Sequence, residues 1–86
     1  MHTYKRISVA ATVLDRYLNE QLHRVRGFEN IRLSAGYRLS TPDSDGCNWS
    51  GDVTCMHGPR APARDVIDAA LRPIVADARA RFNLGE

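Results

Sequence analysis

Two runs decide the fold: Ile31-Arg32-Leu33-Ser34-Ala35-Gly36-Tyr37-Arg38-Leu39-Ser40 and Cys47-Asn48-Trp49-Ser50-Gly51-Asp52-Val53-Thr54-Cys55. Side chains on a strand point alternately to opposite faces, so each run has one apolar and one polar side. In the first run Ile31, Leu33, Ala35, Tyr37 and Leu39 face inward, and Arg32, Ser34, Gly36, Arg38 and Ser40 face outward. In the second, Cys47, Trp49, Gly51, Val53 and Cys55 face inward. The segment between them, Thr41-Pro42-Asp43-Ser44-Asp45-Gly46, is built of turn-forming residues. This predicts a hairpin with strands over about 30–40 and 47–55. Matching the apolar faces pairs Leu39 with Cys47, Tyr37 with Trp49 and Leu33 with Val53. A slip of one residue sends Trp49 to the polar face, whereas a slip of two preserves both faces, so the pattern fixes the register only to within two-residue steps.

On the N-terminal side, Ala11, Leu14, Leu18, Leu22 and Val25 recur at helical spacing with Tyr17 beside them, which predicts a helix over 8–26. Ser8 is the expected N-cap. Gly27 suits the left-handed position just past the end, with Phe28 folding back. His23, Arg24 and Arg26 place positive charge in the last turn, where the dipole favours it. Residues 2–7 suit either a helix extension or a short strand. On the C-terminal side, Met56–Pro62 reads as a connecting loop. A second helix runs from Pro62 to about Phe82, with Ile67, Leu71, Ile74, Ala78 and Phe82 on one face. Pro73 lies inside it and predicts a kink or break near Leu71. Asp68 with Arg72, and Asp77 with Arg81, are spaced as i,i+4 pairs. The expected fold is therefore α+β, a single domain over 1–86. It is a two-layer α-β-β-α arrangement with both helices on the apolar face of the hairpin.

At 86 residues the chain buries roughly 60–65% of its unfolded surface, so the core is thin, and dimerisation is a common remedy. With 26% charged residues and an ordinary apolar share, disorder is not expected. No apolar run approaches the ~20 residues of a membrane span, and the first residues do not read as a signal peptide, so a cytoplasmic protein without membrane contact is expected. The net charge of +2 is a weak electrostatic footprint; the preference for Arg over Lys suits phosphate or carboxylate recognition by the planar guanidinium, but GC-rich codon usage is the favoured reading. Cys47 and Cys55 stand about 26 Å apart along one strand at ~3.3 Å per residue, too far for a disulfide.

Cys47, Cys55 and His57 share strand parity and Asp52 is near, but zinc sites use two close-spaced ligand pairs and no second pair exists, His2 and His23 being distant singletons. No metal and no cofactor is expected. Cys55 and His57 lie roughly 6–7 Å apart at Cβ, loose for a nucleophile and its base, and Asp52 points to the other face, so no catalytic residue is assigned and an enzyme is not expected. An anion or nucleic-acid site has better material. Arg60 and Arg64 flank the start of the second helix, where free N–H groups favour an anion, with His57 beside them and Arg32 and Arg38 on the outer strand face. Arg16, Arg24 and Arg26 add charge on the first helix.

The order helix, strands, basic loop, helix resembles the double-stranded-RNA-binding domain in topology. That resemblance implies phosphate contacts at Arg60 and Arg64, in place of that family's lysine cluster. Small toxin RNases share the topology and use a strand histidine, which Ala35-Gly36-Tyr37 does not supply. The other reading is protein–protein interaction: a lone hairpin leaves two free edges, and pairing with a second copy covers them. The expectation is a small non-catalytic binding or adaptor protein, a homodimer through a sheet edge or bound to a protein partner. The alternative is a nucleic-acid-binding module using the start of the second helix.

Overall fold

The computed structural model describes residues 6–44 and 46–85. Its elements are β1 (Ile7–Val9), α1 (Ala11–His23), β2 (Arg32–Ser34), β3 (Thr54–Met56), α2 (Arg64–Arg81) and β4 (Phe82–Leu84). The class is α+β, as the sequence predicts. The sheet content differs from a single hairpin. β2 and β3 form one antiparallel ladder, while β1 and β4 form a second, parallel one with Ile7 opposite Phe82, Ser8 opposite Asn83 and Val9 opposite Leu84. The order therefore carries a strand before α1 and another after α2, which departs from the topology of double-stranded-RNA-binding domains.

α1 starts later than its apolar spacing predicts, because Ser8 belongs to β1. Ala10 occupies the N-cap and makes no side-chain bond there. Ile7 resolves one end of the ambiguous segment as strand; residues 2–5 lie outside the described residues. Leu14, Leu18 and Leu22 form the buried stripe, and Ala11 and Val25 at its two ends are exposed. Gly27 takes a positive φ of 95°, in the turn after Arg24, and Phe28 is buried beyond it.

The hairpin is shorter than its alternation suggests. Arg32 faces Met56, Leu33 faces Cys55 and Ser34 faces Thr54, a two-residue slip from the expected pairing of Leu33 with Val53. Toward the turn, Arg38 faces Trp49 in an isolated bridge, flanked by bonds from Leu39 N–H to the Asn48 carbonyl and from Ser50 N–H to the Tyr37 carbonyl. Between these pairings the first strand places residues 35–37 and the second places residues 50–53. The second thus carries one extra residue, a bulge, and Gly51 within it has φ +80°. The bulge shifts alternation by one position. Trp49 is fully buried while Tyr37 is 69% exposed, so the expected Tyr37–Trp49 pair does not form and Tyr37 leaves the core face. Gly36 lies opposite the bulge, where a Cβ would come within 2.6 Å of the Asp52 carbonyl oxygen.

α2 runs unbroken from Arg64 to Arg81 with Pro73 inside it. Proline deprives the carbonyl of Ala69 of its helical partner, but Ala69 and Pro73 are both exposed, so water can serve that group and no break is needed. Pro62 precedes the first helical residue by two positions instead of occupying it. At the other end the helix stops at Arg81, and Phe82 turns into β4 with its N–H still bonded to the Ala78 carbonyl. Asp68 pairs with Arg64 at 3.0 Å, not with Arg72; Asp77 pairs with Arg81 at 2.9 Å, as spaced.

α1 packs on α2, β2 and β4, and α2 packs on α1 and β4. The core joins Leu14, Leu18 and Leu22 to Ile67, Leu71 and Ala78, and closes over Phe28, Ile31, Leu33, Cys47, Trp49 and Leu84. Tyr17 meets Phe82 edge to face at 4.9 Å. Cys47 and Cys55 are free thiols, the first buried and the second half-buried.

Candidate functional site

A two-stranded ladder leaves an outer edge on each strand, and every N–H and C=O there must find a partner or meet water. On β2 the partners are side chains of α1. Asp15, Asn19 and His23 recur at four-residue spacing, one position after the buried leucines, and so stand in a row along the strand. The Ala35 N–H donates to Asp15 Oδ1 at 2.6 Å, and the Leu33 N–H to Asn19 Oδ1 at 2.8 Å. Asn19 Nδ2 donates to the Leu33 carbonyl at 2.9 Å, and His23 Nε2 to the Ile31 carbonyl at 2.8 Å. That carbonyl can only accept, so Nε2 carries the proton.

β4 is closed in the same way from the hairpin side. Trp49 Nε1 donates to the Phe82 carbonyl at 3.0 Å. The Asn48 amide accepts the Leu84 N–H at 2.7 Å and donates to the Leu84 carbonyl at 2.8 Å.

β3 has no such cover, and neither does β1, where Ser8 turns its N–H and C=O away from β4 without a partner among the described residues. Leu33 turns both backbone groups to Asn19, so the alternation of an antiparallel ladder puts the β2–β3 bonds at Arg32–Met56 and Ser34–Thr54. Cys55 then turns its N–H and C=O away from β2, and no group among the described residues takes them. Met56, next to this open edge, is 56% exposed.

Beside residues 50–53, α2 presents Arg64, Asp68, Leu71, Arg72, Val75, Ala76 and Arg79 at helical spacing, and the two segments line an open groove of about 660 Å³. Arg79 is locked at its end. Its Nε and Nη2 donate to the Trp49 carbonyl at 3.3 and 3.1 Å, and Nη2 also pairs with Asp43. Burial, the largest single influence, would lower the Arg79 pKa, but Asp43 and Cys47 together outweigh it and hold the guanidinium above its ordinary value. Arg64 is tied to Asp68 on an exposed surface. Asp52 and Arg72 have no ion pair among the described residues.

The residues singled out from the sequence are all exposed and fall in separate places. Arg32 stands opposite Met56, and His57 follows Met56 directly, so these two share one end of the hairpin; His57 Nδ1 lies 3.3 Å from the Gly58 carbonyl. Arg60 sits in the turn closed by Ala61 N–H and the Gly58 carbonyl. Arg64 opens α2, with Asp65 beside it in the first turn. Arg38 is at the far end of the hairpin, roughly 20 Å of strand from Arg32. The sequence reading missed Asn48 and the row Asp15, Asn19, His23; the signal for the row was a polar stripe running beside the leucine stripe.

Among the described residues, no three His, Cys, Asp or Glu side chains come together as metal ligands would, and no helix is long and apolar enough to cross a membrane. Comparison with known proteins gives no matching family model, no matching curated protein and no matching solved structure.

Proposed function

We propose that this protein is a small non-catalytic binding module that works by strand pairing and self-associates through the outer edge of β3. One observation carries the reading: side chains close the outer edges of β2 and β4, while the Cys55 N–H and C=O on β3 have no partner among the described residues. An unpaired strand edge is a template for another strand, and main-chain bonds supply the affinity. A two-stranded ladder is marginal by itself, and a small core gains from added sheet. Two free cysteines suit a reducing compartment, in keeping with a cytoplasmic protein.

Light scattering at high micromolar concentration is expected to give twice the 9.6 kDa monomer mass. Cys55→Pro removes the outward N–H without touching a ladder bond to β2, and is expected to give a folded monomer by circular dichroism. Wild-type protein that stays monomeric at that concentration overturns the reading.

A second reading has its own support. Arg32 and Arg60 are exposed and carry no ion pair among the described residues, and with His57 and Arg64 they offer cations to a nucleic-acid phosphate. Binding to short RNA or DNA that falls steeply with salt, and is lost in Arg32→Ala/Arg60→Ala, supports it; strand-edge pairing, held by main-chain bonds, depends far less on salt.

A further inference from the structure

We infer that two copies pair β3 to β3, antiparallel about a two-fold axis at Cys55, with Asp52 of each copy beside Arg60 of the other. This rests on the reading of the β3 edge as the working surface.

Alternation directs the outward backbone groups of this segment to Val53, Cys55 and His57. Two identical edges pair only where outward groups meet outward groups, which leaves two-fold registers centred on one of these three residues or on Thr54 or Met56 between them; centring on Thr54 sets His57 against Gly51 in the bulge, and centring on Met56 sets Val53 opposite Pro59, so each leaves one of the three outward residues unpaired. Centring on His57 sets Cys55 opposite Pro59, which has no N–H to give, and runs the pairing into the turn at Gly58–Ala61. Centring on Val53 sets the bulge at Gly51 beside the axis and makes Asp52 a diagonal neighbour of Asp52 of the second copy, a like-charge contact. Centring on Cys55 avoids both. Cys55 exchanges both bonds with Cys55 of the second copy, and Val53 faces His57 of the second copy on either side of the axis.

Charge then complements. Asp52 stands opposite Gly58 of the second copy, where the turn that carries its Arg60 begins, so the long Arg60 side chain starts within a few residues of the carboxylate. Both groups are exposed and lack an ion pair among the described residues. Asp52 also lines the groove along α2, so the loop that carries Arg60 in one copy runs along the groove mouth of the other. On the outer face, exposed Met56 lies on Thr54 of the second copy, and this contact too occurs twice.

The test is a charge-reversal cycle read by sedimentation equilibrium at low salt. Asp52→Arg and Arg60→Asp are each expected to weaken the dimer by roughly five-fold, and the double variant to recover most of that loss. A short thiol-bridging reagent, dibromobimane, is expected to give a covalent dimer on a denaturing gel with wild type and none with Cys55→Ser. A wild-type dimer that resists bridging and ignores both charge reversals overturns this register and leaves self-association standing. A wild-type monomer overturns the reading beneath it.

Discussion

The Asn19 side chain holds Leu33 as a neighbouring strand would, accepting its N–H at 2.8 Å and donating to its carbonyl at 2.9 Å. Asn48 treats Leu84 in the same way at 2.7 and 2.8 Å. A primary amide carries one acceptor and two donors in a plane, which matches the paired N–H and C=O that an antiparallel strand offers. In both cases one asparagine does the work of an absent strand, and the edge becomes unavailable to another chain.

Replacing Asn19 with Leu is therefore expected to orphan two backbone groups beside the core. The cost is about 1–3 kcal/mol, read as a lower urea midpoint. The opened β2 edge should also make the variant aggregate at concentrations where wild type does not. Asn19→Asp keeps the acceptor and loses the donor, so its midpoint should fall between the two. A midpoint for Asn19→Leu equal to that of wild type would show that water replaces the amide at no cost.

Trp49 couples the two ladders, since its ring fills the core while Nε1 holds the Phe82 carbonyl at 3.0 Å. Trp49→Ala is expected to cost about 3–5 kcal/mol, enough to abolish a cooperative thermal transition in a domain this small. Trp49→Phe keeps part of the packing and loses the bond, and should remain folded with a lowered melting temperature. A Trp49→Ala variant that melts like wild type would contradict the burial.

The two helices and the hairpin were legible because Leu14-Leu18-Leu22, Ile67-Leu71 and the alternation around Leu33 repeat over enough residues to average out exceptions. The parallel ladder was not. Ile7–Val9 and Phe82–Leu84 are three-residue strands, too short to show a period, and each adjoins a helix whose pattern absorbed it. The register failed for a different reason. Alternation cannot see a bulge, and only the positive φ of Gly51 marks where the second strand gains a residue. The basic residues from the sequence are exposed as expected, but which strand edges lack partners among the described residues was not legible. That depends on where Asn19 and Asn48 reach in three dimensions.

The bulge itself is expected to tolerate little. At φ +80° Gly51 holds a conformation costly for any other residue, and a Cβ there would come 2.8 Å from Cδ of Arg79. Arg79 cannot move aside freely, because its head is bound to Asp43 and to the Trp49 carbonyl. Gly51→Ala should destabilise by about 1–3 kcal/mol in urea unfolding. Arg79→Lys, which loses the forked contact, should lower the stability of the wild type and lessen the added penalty of Gly51→Ala. Independent, additive effects of the two changes would argue against the clamp.

Tyr17 and Asp77 tie α1 to α2, and their bond gives stability a pH dependence of defined sign. The Tyr17 hydroxyl donates to Asp77 Oδ2 at 2.5 Å, and Arg81 Nε donates to Oδ1 at 2.9 Å. The Tyr17 bond first, and Arg81 second, hold the Asp77 carboxyl below its ordinary range. A lowered carboxylate pKa adds stability that is complete above the unfolded value of about 4 and is lost as pH falls through the folded value. Tyr17 shifts the other way, raised by burial and then by Asp77, so its contribution is complete below about 10 and is lost as pH rises through the folded value. Asp77 is partly exposed, so solvent screening keeps its effect modest. In Tyr17→Phe, the Asp77 carboxyl carbon followed by NMR should titrate closer to an ordinary aspartate. Urea midpoints should then vary less with pH on the acid side of 4 than in wild type. An Asp77 titration unchanged by Tyr17→Phe would mean that Arg81 alone sets the shift and that the two helices are not joined through this bond.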